Sequence, residues 1–224
     1  MSITHEQRFP NESETYRKAR DELLEAEVAL RRQTEAVAVA RRALPLGGEV
    51  PTNYVFKEGD NARTVTLSEL FGDKQTLVAY SFMYGPNMDK PCPMCASLID
   101  ALNGTAAHVI QRASLVVIAK SAIGRILTFS RPRGWNRLRI VSSADNTYNR
   151  DYLGENAEGQ QMPMLNVFAK RDGKIHHAYA TEMMLVPSDP GQDSRHVDGL
   201  SPLWSLLDFT PEGRGDFRAK LQYT

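Results

Sequence analysis

The sequence predicts an α/β domain, a mixed β-sheet covered by helices, behind a long N-terminal helix. Three observations predict it. Asn11 to Leu44 contains no Gly or Pro and is rich in Ala, Glu, Arg and Leu, all good helix formers. From Thr52 the pattern changes to short apolar runs alternating with helix-length segments, which implies parallel strands joined by crossovers. Two further runs, joined by Arg171-Asp172-Gly173, then read as an antiparallel hairpin. The expected division is a helical extension over residues 1–45 and the sheet domain over residues 46–224.

Within the extension, Tyr16, Leu23, Leu30, Val37 and Leu44 recur every seven residues. Ala19, Ala26 and Ala40 fall three places after members of that series, with Gln33 the polar exception. This is an a/d seam with a small-residue d row. Such a seam calls for cover, either from a second copy of the chain in a homo-oligomer or from its own domain. Pro45 and Gly47-Gly48 end the helix.

The segment "NYVFKEGDNARTVTLSELFG" reads as a strand, a turn at Gly59-Asp60, a second strand and a short helix. "TLVAYSFMY", Thr76 to Tyr84, is apolar enough for a strand buried on both faces. After the loop "GPNMDKP" a helix opens at the cysteines and runs to about Ile110. "SLVVIAK" is the next buried strand, "SAIGRILTFSR" a helix ended before Pro132, and "LRIVSS" another strand. "MLNVFAK" and "KIHHAYATEM" form the hairpin. The tail past Val186 has loop character, with a short helix around Trp204.

Charge and composition exclude several classes. Lys plus Arg equals Asp plus Glu, 27 against 27, so no global field draws nucleic acid or an anionic membrane. "MSITHEQRFP" has no apolar core of a signal peptide, and the run "LVAYSFMYG" is far too short to span a bilayer. A cytoplasmic protein is the expectation. In that compartment a close cysteine pair points to redox chemistry or metal rather than to a structural disulfide.

The only two cysteines, Cys92 and Cys95, stand in "KPCPMCASLIDALNG" directly after a buried strand. At this spacing they share one face of a helix start, within disulfide reach. Pro93 suits the first helical position, where its missing N–H costs nothing. The helix N-terminus offers free N–H groups and partial positive charge, which stabilise a Cys92 thiolate. Cys95 lies a turn inward, placed to resolve a mixed disulfide. Two alternatives weigh against redox use: unrelated buried thiols, or half of a tetrahedral zinc site. For zinc, His176-His177 are the candidate ligands, but neighbours on a strand point to opposite faces. The expected metal content is none.

"MPMLNVFAKRDGKIHHAY", Met162 to Tyr179, resembles the segment after the cis-proline of thioredoxin-fold proteins. That match places Pro163 in cis beside the cysteine pair. The whole chain also resembles the thioredoxin-like family known as domain of unknown function 899. The likeness rests on "YSFMYGP" before "CPMC", on "RGWNRLRIVSS", "YNRDYLG", "RDGKIHHAYAT" and "LLDFTPEGR", and on the long N-terminal helix. It implies a thioredoxin fold and says little of substrate. The dipeptide between the cysteines is Pro-Met rather than Gly-Pro, and Pro91 stands where thioredoxin carries Trp. Asp89 stands where peroxiredoxins place Thr or Ser, and a carboxylate there tends to raise a nearby thiol pKa.

The resulting expectation is a thiol–disulfide oxidoreductase. Cys92 attacks, Cys95 resolves, and Pro163, Met162, Pro93 and Met94 shape an adaptable substrate groove. The partners would be a disulfide-bearing protein or small thiol, with an external thiol reductant, and no bound cofactor is needed. Two other classes remain open: a peroxiredoxin-like thiol peroxidase passing through a Cys92 sulfenic acid, and a non-enzymatic interaction module of the same fold. Trp135 reads as a core anchor, His108 as surface, and Arg125 to Arg139 as a solvated basic face with room for an anionic thiol. His176 or His177 is a candidate proton relay.

Overall fold

The computed structural model of the protein describes residues 5–222. The chain divides into two compact units, Met1–Pro45 and Leu46–Thr224. The first holds helix α1 (Glu14–Arg42). The Ser13 hydroxyl caps it by accepting from the Tyr16 N–H at 3.1 Å, which satisfies one of the orphan donors of the first turn. Arg41 and Arg42 stand in the last turn, where the helix dipole favours cations. Within its own unit α1 buries no residue, and the seam residues Leu23 and Leu30 are 51% and 67% exposed.

The second unit is built on one seven-stranded sheet. Its strands are β1 (Val55–Glu58), β2 (Arg63–Thr66), β3 (Thr76–Phe82), β4 (Ser114–Ala119), β5 (Arg139–Ser142), β6 (Met164–Arg171) and β7 (Lys174–Ala180). Their order across the sheet is β2-β1-β5-β4-β3-β6-β7. Strands β3, β4 and β5 run parallel, and the pairs β1/β2, β1/β5, β3/β6 and β6/β7 are antiparallel. The helices are α2 (Leu67–Leu70), α3 (Pro93–Val109), α4 (Ile123–Ser130), α5 (Tyr148–Asp151) and α6 (Pro202–Asp208). The run β4-β3-β6-β7, with α3 crossing between β3 and β4 and a closing hairpin, is a thioredoxin-like fold. β5, β1 and β2 widen it at one edge.

Alternation along β3 divides the core between the two faces of the sheet. Tyr80 and Phe82 face α3 and α4, where they join Ile99, Ile126 and Trp135. Leu77 and Ala79 face the other way, with Phe56, Leu70, Tyr148 and Phe168. Both faces are covered, which is why β3 and β4 read as near-continuous apolar runs. Trp135 anchors the first core as expected: its ring meets Phe82 edge-on at 5.6 Å, and its Nε1–H donates to Asp100 at 2.7 Å. Helix α5 and the 3₁₀ turn Glu182–Leu185 were not legible, being too short for a periodic pattern.

The basic stretch is solvated at Arg131 and Arg137, as expected, and tethered at Arg133 and Arg139. Arg139 forks onto Glu58 at 2.8 and 3.1 Å, tying β5 to β1. Arg133 reaches Asp100 at 2.5 Å and the Leu221 carbonyl at 2.8 Å, and Arg131 pairs with Asp60. Among the described residues no helix is long and apolar enough to cross a membrane.

Candidate active site

β3 ends at Phe82, and the chain from Met83 to Pro91 is held tightly before α3 begins. The Arg125 guanidinium donates to the Pro86 carbonyl at 3.0 Å and to the Met88 carbonyl at 2.6 Å, and lies 4.8 Å over the Tyr84 ring. Ser121 Oγ donates to the Gly85 carbonyl at 3.0 Å. Gly85 is needed for close approach: a Cβ there would stand 2.8 Å from Cγ of Gln161. The loop before the cysteines is thus pressed onto the segment that leads to Pro163.

Cys92 is the N-cap of α3, and its own N–H is used, donating to the Met83 carbonyl at 3.0 Å. Pro93 opens the helix at its first turn. No side chain caps this end, so the free helical N–H groups are left to the sulfur. The Cys92 thiol pKa is lowered from 9.0 to about 6. The Cys95 side chain, hydrogen-bonded to the Cys92 sulfur, is the largest cause; the backbone N–H groups of Cys95 and Met94 add to it, against the opposing effect of burial. Cys95 is buried and moves the opposite way. Its proton is held by the contact with Cys92, and burial and the neighbouring thiolate push its pKa well up. The Tyr80 hydroxyl and the Met83 backbone favour its ionised form and oppose that rise. The surroundings thus favour a thiolate at the partly exposed Cys92 and a protonated thiol at the buried Cys95. Both are free thiols in this structure.

Pro163 and Met94 line a cavity of about 320 Å³ together with both cysteines, Tyr80 and Met83. The other half of its wall comes from the tail, including His196, Asp198, Trp204 and Arg214. Met162 and Pro93 are not on that wall; Pro93 serves the helix start. Met88 accepts the Gly85 N–H on its sulfur at 3.3 Å, and Met164 is fully buried under Thr181. Of the methionines near the cysteines, Met83 and Met94 lie at the cavity, whereas Met88 and Met164 belong to the packing.

Two expectations are corrected. The Met162–Pro163 bond is trans, since the described chain contains no cis peptide bond. Gln161 bridges to Glu155, and the Met162 N–H donates to the Gly154 carbonyl at 3.0 Å. This approach leads directly into β6, which starts at Met164. The histidine pair does not face the cysteines. His177 Nε2 meets Asn166 Oδ1 at 2.9 Å, and its ring packs on Tyr152 and Phe168, on the other face of the sheet. His176 Nδ1 lies 3.3 Å from the Gly47 carbonyl. His108 is exposed at the end of α3, as expected. Among the described residues no three His, Cys, Asp or Glu side chains gather as a metal site.

Sequence reasoning missed Tyr80 and the whole tail wall. Tyr80 had a signal: it lies two residues before Phe82, on the β3 face that must meet the cysteine helix. The tail had none, because no local pattern ties "SRHVDG" to a cysteine far upstream.

A comparison with curated proteins finds no match. Similar solved structures include a peroxiredoxin-like protein from Aquifex aeolicus, 17% identical, with 61% of this chain and 75% of that chain covered and a TM-score of 0.43. A reduced 2-Cys peroxiredoxin of Plasmodium vivax is 16% identical over 69% of this chain and 94% of that one, with a TM-score of 0.44. An exposed lipoprotein thioredoxin of Streptococcus pneumoniae is 13% identical over 64% of this chain and 94% of that one, with a TM-score of 0.38. At these values the fold rests on the strand order and not on the likenesses. Residues 6–223 match the model of a family described as bacterial protein of unknown function (DUF899), and the chain belongs to that family.

Proposed function

We propose that the protein is a thiol–disulfide oxidoreductase working in a reducing compartment, the cytoplasm. The observation that carries the reading is the geometry of the pair: Cys92, partly exposed, is the N-cap of a helix start that no side chain caps, with the buried free thiol of Cys95 one turn in, an arrangement that lowers the Cys92 pKa and raises that of Cys95. The attacking thiol must be ionised at neutral pH, whereas the resolving thiol must wait protonated until a mixed disulfide forms. The Cys92 thiolate attacks a disulfide sulfur, the substrate S–S bond breaks, and one half leaves as a thiolate that takes a proton from solvent. The Cys92 sulfur then carries no negative charge, so the contact that held the Cys95 proton is lost and Cys95 ionises more readily. The Tyr80 hydroxyl supports that charge. Cys95 closes the Cys92–Cys95 bond and releases the second thiol, and an external thiol reductant resets the pair.

The test is a redox titration of the purified protein against defined dithiol buffers, counting free thiols by alkylation and mass spectrometry, with Cys95→Ser as control. A reversible two-electron transition supports the reading. Thiols that never pair, or react only after unfolding, leave the non-enzymatic module of the same fold. The peroxidase reading makes a separate demand: peroxide consumption by the reduced protein that Cys92→Ser abolishes.

A further inference from the structure

The cavity over Cys92 is not an open groove. Its far wall is the tail, with His196 and Asp198 on the loop before α6 and Trp204 on α6 itself. The tail is clasped by its own charges. Arg214 holds Asp198 at 2.6 Å and Asp208 at 2.7 Å, Arg195 holds Asp208 at 2.8 Å, and the Arg214 guanidinium lies 5.4 Å over the Trp204 ring. The resulting volume, about 320 Å³, is that of a small-molecule site.

The clasp neutralises itself, two cations against two anions. Two charged groups of the same cavity are left over. Among the described residues Asp193 makes no ion pair, and Arg218 makes none either and donates to the Phe217 carbonyl at 2.8 Å. Both are exposed, so each keeps a hydrated charge at the rim. The floor beside the thiolate is apolar, formed by Pro163, Met94 and Leu98. One anion and one cation over an apolar floor complement a molecule that carries one ammonium, one carboxylate and a short apolar stem to sulfur.

We infer that this cavity selects low-molecular-weight disulfides of the amino-acid type, with a carboxylate toward Arg218 and an ammonium toward Asp193, in preference to disulfides of folded proteins. The inference rests on the oxidoreductase reading above. The reaction balances as protein dithiol plus RSSR giving protein disulfide plus two RSH. The substrate S–S bond breaks and the Cys92–Cys95 bond forms. Two electrons pass to the substrate; the first half to leave takes a proton from solvent, since Cys92 reacts as the thiolate, and the second takes the proton that Cys95 gives up.

The test is the second-order rate at which fully reduced protein is oxidised by four small disulfides. Cystine carries both charges, cystamine only ammonium, 3,3′-dithiodipropionate only carboxylate, and bis(2-hydroxyethyl) disulfide neither. Insulin serves as the protein disulfide. An exposed charge pair changes rates by about 1.4-fold to fivefold. Cystine is expected to be the fastest of the five by at least that factor. Arg218→Ala is expected to lower the cystine-to-cystamine rate ratio about threefold, and Asp193→Asn the cystine-to-dithiodipropionate ratio by a similar factor. Equal rates for the four small disulfides, unchanged ratios in both variants, or insulin reacting as fast as cystine overturns the inference. In each of those cases a reversible Cys92–Cys95 transition leaves the oxidoreductase reading standing. Absence of that transition removes both.

Discussion

The two faces of the sheet are built from the same kinds of residue and behave as opposites. On the face away from α3, Tyr54, Tyr148, Tyr152, Phe168 and His177 form a continuous aromatic cluster with ring centroids 4.8–6.1 Å apart. Burial is the first cause of every shift there: it pushes the Tyr54, Tyr148 and Tyr152 hydroxyls up and the His177 imidazole down. Each group is driven to its neutral form, which is what an apolar interior does to any titratable side chain. On the α3 face Cys92 is also partly buried, yet its pKa falls. The difference is direction of hydrogen bonding. The protonated Cys95 side chain donates to the Cys92 sulfur, and backbone N–H groups of the helix start add to it, so the charged form wins against desolvation.

The largest effect is expected from Cys92→Ser, which removes the redox transition altogether while leaving the fold intact, as read by thiol counting and circular dichroism. Phe168→Ala on the opposite face cuts a fully buried ring and is expected to cost about 3–5 kcal/mol in denaturant unfolding. It should leave the Cys92 alkylation profile unmoved; a shifted profile would show that the two faces are not independent. Arg125→Ala removes the donor that holds the Pro86 and Met88 carbonyls. A loss of about 1.5–3 kcal/mol is expected, together with a rise in the Cys92 pKa as the loop loosens, seen in the pH dependence of iodoacetamide labelling.

The pH dependence of stability sharpens the comparison further. The folded Cys92 pKa lies below its unfolded value, so its contribution is present at high pH and is lost as pH falls through about 6. The reduced protein should therefore lose stability from about pH 8 to pH 6 relative to Cys92→Ser, in paired urea titrations. Equal curves would mean that the thiolate is not stabilised by the fold. Tyr80→Phe is expected to be the mildest change, about 1 kcal/mol or less in stability. Its specific signature is a Cys95 that ionises at still higher pH and a slower second step in stopped-flow oxidation, with the Cys92 profile little changed.

By itself the sequence determined the elements with strong periodicity and the chemistry that is local in the chain. α1, β3, β4, α3 and the β6/β7 hairpin follow from patterns of period 3.6 or 2 and from turn residues, which act over a few neighbours. The Cys92–Cys95 pair, with Pro93 at the helix start, is likewise a local arrangement. Only the tertiary structure decided what surrounds it. The side of β7 on which His177 lies depends on register, and a bulge between Val167 and Phe168 intervenes there. The isomer at Pro163 depends on how the preceding segment is anchored, since the two states of an X–Pro bond differ by so little. The tail wall over Cys92 depends on ion pairs and packing between distant parts of the chain, whose energies arise only once the fold has brought them together.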